Sequence, residues 1–193
     1  VLEGNVLSVE PYGNGHINYT YLIQTDKARY ILQGINSNVF KTPEMIISNI
    51  ELLWETEPKN TVILNMMKTK GGKHAVMAEG NLWRAFPFAE GYQTFEFIEE
   101  PWQAEKAGRA YASFLKTFAN IDTQRLQATI RDFHNGLKRF AALEAAYAQA
   151  KPARKEKAQH LYDFALAHKV IFERIHKAVD DGLIPIPVTH NDT

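Results

Sequence analysis

The spacing of apolar residues changes once along this chain, between residues 89 and 101, and that change limits the folds open to it. Before it, β-branched and aromatic residues come in short runs separated by turn residues: Val6-Leu7-Ser8-Val9, then residues 19–24, then Arg29-Tyr30-Ile31-Leu32-Gln33. Runs of that length and composition are strands. After it, Ala107, Tyr111, Phe114 and Phe118 step by four, three and four, which is one face of a helix. The expectation is an α+β chain in two lobes, a sheet-rich one over residues 1–90 and a helical one over residues 92–193.

Within the first half, Gly13-Asn14-Gly15 bridges two strands. Glycine permits positive φ and close approach, so such a loop serves equally a tight hairpin or a cradle of backbone N–H groups for phosphate oxygens. His16, Asn18 and Thr20 follow at alternate positions, which on a strand is one polar row. Asp26-Lys27 turns the chain into the next strand. Residues 43–54 then read as a helix with Thr42 as N-cap, Pro43 in its first turn, and Ile46, Ile50 and Leu53 on one face. Glu44 or Glu51 of that helix is either a partner for a cation on the preceding strand or a solvated carboxylate. Further strands are expected over residues 61–64, 75–78 and 82–86. Lys70, Lys73 and His74 form a solvated tip, Glu79-Gly80-Asn81 a hairpin turn, and Pro87 the place where strand pairing stops.

In the second half, Leu137, Phe140, Glu144 and Tyr147 outline a helix preceded by the polar-aromatic loop of residues 129–136. The longest helix is expected over residues 152–181, with Leu161, Phe164, His168, Phe172, Ile175 and Val179 facing inward and Gly182 capping it. His168 on that stripe reads as a boundary histidine, and the aromatic stripe as core.

Composition excludes several classes. Lys plus Arg equals Asp plus Glu at 22 each, so no net field favours nucleic acid or an anionic membrane, and no basic stripe interleaves with aromatics. Cys is absent, which removes disulfide scaffolds and thiolate metal sites. There is no spanning apolar run and no signal-peptide pattern. A soluble, cytoplasmic, globular protein is the expectation, its N-terminus trimmed because Val1 is not an initiator Met.

The final stretch carries the chemistry. The apolar run of residues 184–188 leads into Thr189-His190-Asn191-Asp192-Thr193. His-x-Asp after such a run is how kinase-like phosphotransferases present a catalytic aspartate, with a metal-binding Asn a few residues on. Here that Asn is expected downstream of Thr193.

The chain resembles the aminoglycoside phosphotransferase and choline kinase-like family. The likeness rests on the loop Gly13-Asn14-Gly15-His16-Ile17-Asn18, the strand Tyr30-Ile31-Leu32-Gln33-Gly34-Ile35-Asn36, the segment Asp132-Phe133-His134 and the terminal His190-x-Asp192-Thr193. Together they are most similar to the N-acetylhexosamine 1-kinase-like branch. The resemblance implies a protein-kinase-like two-lobe fold and transfer of the ATP γ-phosphate, with Mg²⁺, to a hydroxyl of a small molecule such as a sugar. It implies Asp192 as catalytic base. Gly13, Asn14, Gly15, His16 and Asn18 would lie over the triphosphate, with Phe86 and Phe88 beside the adenine at a hinge over residues 86–91. Asp132, His134 and His190 would be substrate contacts, and the metal ligands are expected beyond Thr193. Two positions depart from the pattern: Gln33 stands where a phosphate-binding Lys is expected, and Gly34 where a neighbouring Arg is usual. That departure leaves open a second reading, a kinase-like module that binds a nucleotide or partner without chemistry. A purely structural helical bundle gains nothing from the pattern, which has no heptads.

Overall fold

The computed structural model describes residues 1–55 and 65–189. Five strands, β1 (Val6–Pro11), β2 (Tyr19–Thr25), β3 (Arg29–Ile35), β4 (Val76–Ala78) and β5 (Asn81–Pro87), form one sheet in the order β1-β2-β3-β5-β4, every neighbour antiparallel. The helices are α1 (Glu44–Trp54), α2 (Pro101–Thr117), α3 (Gly136–Gln149) and α4 (Pro152–Asp180). The α+β expectation and its sheet-then-helices order stand. The strand expected over residues 61–64 lies outside the described residues.

Register decides which side chains share a face. Ile31 pairs with Phe86, Gln33 with Arg84 and Ile35 with Leu82, while Thr20 pairs with Gln33 on the other side. Because Cβ directions alternate along a strand, all of these point to one side of the sheet. On that side, Ile35, Leu82 and Phe86 join Ile47 of α1 and Met66 in the core cluster, with Ile35 fully buried. Ile46, Ile50 and Trp54 of α1 pack around it. On the opposite side, Ile23 and Tyr30 are buried, and the Tyr30 hydroxyl accepts from the Glu3 backbone N–H at 3.0 Å. The β4–β5 turn is the two-residue kind: Glu79 and Gly80 both have positive φ, at 50° and 76°, the twist that suits a tight hairpin.

Three local expectations about α1 and its surroundings are corrected. Thr42 makes no side-chain cap; the helix boundary residue is Pro43, already in helical conformation. Neither Glu44 nor Glu51 meets a cation of β3. Glu51 instead pairs with His74 Nδ1 at 2.7 Å. His74 therefore leaves the solvated tip and packs its ring edge-on against Trp54, at 4.9 Å between centroids. Lys70 and Lys73 stay exposed beside the turn that Thr69 and Lys73 close.

The described chain forms two compact units. The first holds Val1–Ile130 together with the segment from Pro187 on, and the second is Arg131–Ile186. The change of period near residue 101 thus falls inside the first unit, and α2 goes with the sheet. Glu100 and Gln103 cap α2 reciprocally. Beyond it, Asn49 of α1 grips the backbone of Gln127, donating at 2.8 Å and accepting at 2.9 Å, and Arg125 pairs with Glu55 at 2.8 Å. Phe118 is buried at 1% exposure with Phe114 edge-on against it, while Ala107 and Tyr111 of the predicted face lie at the surface. Residues 184–188 are irregular rather than a strand, although Val188 is buried. No described helix is long and apolar enough to cross a membrane.

In the second unit α3 presents the predicted face: Phe140 is buried, and Leu137, Glu144 and Tyr147 are half-buried beside it. For α4 the predicted inward stripe fails at Leu161, Phe164, His168 and Ile175, while its other two members, Phe172 against Gly136 and the half-buried Val179, do turn inward. Leu161, Phe164 and Ile175 are 63%, 64% and 48% exposed, and His168 is exposed with Nδ1 against the Phe164 carbonyl at 2.7 Å. The face turned to α3 runs instead through Ala158, Tyr162, Ala165 and Lys169. Tyr162 stacks flat on Tyr147 at 3.8 Å, Lys169 reaches Glu144 at 3.3 Å, and Phe172 lies over Gly136. A helix of 29 residues beside one of 14 buries a single stripe, and α4 carries two candidate stripes about 100° apart. Spacing alone does not choose between them.

Truncating Phe140 to Ala should cost about 3–5 kcal/mol in denaturant unfolding, whereas Phe164→Ala should stay within about 0.5 kcal/mol. Equal losses would contradict the observed orientation of α4.

Candidate functional site

The Gly13 loop spans residues 12–18 between β1 and β2, closed by the Tyr12 N–H donating to the Thr20 carbonyl at 2.9 Å. Gly13 has φ +80°, a left-handed conformation that L side chains rarely adopt. A Cβ at Gly13 or Gly15 would meet nothing within 4 Å, so the loop's backbone stands open on both glycines. The Asn14 amide donates to the Glu96 carboxylate, tying the loop to the segment before α2. His16 is exposed. The expected row of His16, Asn18 and Thr20 along one strand is only partly formed, because β2 starts at Tyr19. Asn18 serves the turn instead: its side-chain carbonyl accepts from the Asn36 N–H at 3.2 Å.

What the sequence reading missed lies one strand further. Thr20, Gln33 and Arg84 form a continuous polar row across β2, β3 and β5. Gln33 Nε2 donates to Thr20 Oγ1 at 3.2 Å, and Gln33 Oε1 accepts from Arg84 Nε at 3.1 Å and Nη2 at 2.7 Å. Among the described residues no carboxylate pairs with Arg84, and its Nη1 is shielded from solvent with no hydrogen-bond partner. Burial lowers its pKa to about 10, so the group is still charged at neutral pH. The guanidinium lies 5.1 Å from the centroid of the Phe86 ring, a contact that offsets only part of the desolvation. A signal for this was present in the sequence: Arg84 alternates with Leu82 and Phe86, on the face of β5 that enters the core.

Gly34, where an Arg is usual, is closed off by its register partner. The Trp83 ring lies so near that a Cβ there would sit 2.9 Å from it. Just past the end of β5, Phe88 stands between Tyr12, edge-on at 5.7 Å, and the Arg29 guanidinium 4.2 Å from its ring centroid. Arg29 also binds Glu90 through two hydrogen bonds, which hold the Glu90 carboxyl below its usual range. Of the two phenylalanines expected beside an adenine, Phe88 is half-buried next to the loop. Phe86 belongs to the core cluster at 9% exposure, and its role there is packing.

Asp132 and His134 sit in the second unit, in the turn that starts α3. Asp132 has φ +57°, and its carboxylate accepts from Lys138 Nζ at 2.6 Å, which holds its pKa below the usual value. Asn135 caps the helix by accepting from the Lys138 N–H at 3.0 Å. His134 is exposed, edge-on to Phe133. The segment does a helix-capping task that its sequence also fits. His190 and Asp192 lie outside the described residues. Among the described residues no three His, Asp or Glu side chains converge to hold a metal ion.

No family model matches the chain. Solved structures do. A spectinomycin phosphotransferase bound to ADP and spectinomycin superposes with a TM-score of 0.55 at 15% identity, over 95% of this chain and 55% of that one. Its AMP-bound complex gives 0.57 at 14%, over 98% and 59%. An aminoglycoside phosphotransferase from Alicyclobacillus acidocaldarius gives 0.56 at 12%, over 87% and 50%. The chain therefore spans between half and three-fifths of the length of the structures it matches. At these identities the likeness shows the fold: the antiparallel sheet followed by helices is that of the kinase-like aminoglycoside phosphotransferases.

Burial that lowers the Arg84 pKa to about 10 corresponds to about 3 kcal/mol against the charged form at ~1.4 kcal/mol per unit. Since the folded value lies below the unfolded one, that cost acts in full below about pH 10 and fades as pH rises past it. Arg84→Met should thus leave ligand-free stability within about 1 kcal/mol of the parent, or raise it, despite the lost hydrogen bonds to Gln33. A loss above about 2 kcal/mol in chemical denaturation at pH 7 would contradict this balance.

Proposed function

We propose that this chain is the nucleotide-binding part of an ATP-dependent phosphotransferase whose acceptor is a hydroxyl of a small molecule. The observation that carries the reading is the open Gly13 loop lying at the end of a sheet face that also holds an unpaired guanidinium, on the fold of the aminoglycoside phosphotransferases. Backbone N–H groups at Gly13, Asn14 and Gly15 suit phosphate oxygens, with His16 and Asn18 beside them. Phe88, rather than Phe86, offers an aromatic flank for the base. Related solved structures hold ADP or AMP, which supports a nucleotide in this part of the fold.

The chemistry follows from phosphoryl transfer. The acceptor hydroxyl oxygen attacks the γ-phosphorus as the bond to the β-bridging oxygen breaks, and Asp192 orients that hydroxyl and takes its proton. Asp192 enters on sequence alone, as does His190 beside it. Mg²⁺, when bound, would neutralise the phosphate charge, held by ligands expected beyond Thr193. The resemblance to the N-acetylhexosamine 1-kinase-like branch favours a hexosamine as acceptor. A need for ATP favours the cytoplasm as the site of the reaction.

A binding module without catalysis is the second reading, favoured by Gln33 and by the Trp83 ring over Gly34, which together remove two expected cations. Calorimetry with ATP and Mg²⁺, run beside a phosphorylation assay on N-acetylhexosamines and aminoglycosides using the full-length gene product, separates the two. Phosphate transfer to a hydroxyl acceptor, abolished about 10³-fold or more by Asp192→Asn, is the expected result. Tight ATP binding with no transfer to any hydroxyl would favour the module.

The loop itself gives a separate check. Gly13→Ala should destabilise the fold by about 1 kcal/mol because of its positive φ, while Gly15→Ala should leave stability unchanged within about 0.5 kcal/mol. Gly15→Ala should nevertheless weaken ATP binding by crowding the phosphates. Full ATP affinity in that variant would argue against the loop as the phosphate cradle.

A further inference from the structure

A buried cation without a counter-charge is costly, and proteins keep such groups paired or bring a partner to them. Arg84 is the case here. Its guanidinium is held on one edge by a single neutral oxygen, Gln33 Oε1, and its Nη1 has no partner among the described residues. The ring of Phe86 supports it from one side, and no described carboxylate approaches. Through Gln33 it is linked to Thr20, whose carbonyl closes the Gly13 loop. Register sets Arg84 two strands from Thr20, about 10 Å across the sheet on the same face, within the reach of an Arg side chain plus one phosphate.

We propose that Arg84 is the phosphate clamp of this chain, taking over from β5 the task that a basic residue on β3 would otherwise perform. This rests on the nucleotide reading of the Gly13 loop. In the free protein the guanidinium is parked on Gln33. The residue as a whole is only half-buried, so a rotation about its outer torsions brings Nη1 out toward an anion while the Gln33 contact is given up or shared. A phosphate oxygen then supplies both the negative charge and the acceptor that the free state lacks. Gln33 accordingly acts as a positioning residue. A neutral amide there holds the fork of Arg84, whereas a Lys at the same place would set two cations side by side and repel it.

The test measures ATP and adenosine affinities by calorimetry for the parent, Arg84→Met and Arg84→Lys, each checked for its folded circular dichroism spectrum. The expected result is a loss of about 10- to 100-fold in ATP affinity for Arg84→Met, with adenosine affinity unchanged and Arg84→Lys in between. Unchanged ATP affinity in Arg84→Met overturns the clamp while the parent's binding leaves the phosphotransferase reading standing. Equal losses for ATP and adenosine also overturn it, since they mark a structural role. A parent that binds neither compound overturns both. Should Arg84→Met fail to fold, Arg84→Lys decides: weaker ATP binding with adenosine untouched supports the clamp, and equal ATP binding refutes it.

Discussion

One side of a five-stranded sheet has two tasks in this protein, and the division between them organises the first unit. Ile35, Leu82 and Phe86 pack with Ile47 of α1 in the core cluster. Along the same strands, the row of Thr20, Gln33 and Arg84 carries polar and charged atoms into a region that the core partly shields. Antiparallel register forces this sharing, because side chains two apart on a strand point the same way. Arg84 lies between Leu82 and Phe86 on β5, so its guanidinium sits in apolar surroundings, 5.1 Å from the Phe86 ring centroid. Its lowered pKa follows from that placement.

The surroundings reinforce the arrangement. Trp83, on the other face, fills the space over Gly34 and ring-packs toward Tyr21 at 6.1 Å, so β3 and β5 are fixed against each other from both sides. The Glu51–His74–Trp54 group holds α1 to the segment before β4, and Asn49 holds it to Gln127. The Gly13 loop, by contrast, is held only at its ends and by Asn14. Fixed strands beneath an open loop suit a ligand whose charged part needs rigid partners and whose bulk needs room.

Much of this was legible in the sequence because strands and hairpin turns are local. The alternation of β2, β3 and β5, the Glu79-Gly80 turn and the α3 face follow from spacing and glycine placement alone. The errors share a cause: each depended on what a residue meets far along the chain. Glu51 met His74 rather than a strand cation, Phe86 went into the core, and the first half of α4 turned a different stripe to α3. Arg84 went unnoticed for the same reason. Its meaning depends on the pairing of β3 with β5, about 50 residues apart, and on the absence of a carboxylate partner among the described residues, neither of which periodicity reports. Asp132 and His134 illustrate the reverse, since a motif kept for its chemistry also fits a helix-capping turn.

The account holds that a triphosphate lies against the Gly13 loop and the Gln33–Arg84 row of the first unit. Amide hydrogen exchange with and without ATP and Mg²⁺ addresses this most directly. The account predicts slowed exchange at residues 12–18 and in β3 and β5 around Gln33 and Arg84, with α3 and α4 unchanged. Protection confined to α3 and α4, with the loop and these strands exchanging as before, would contradict it.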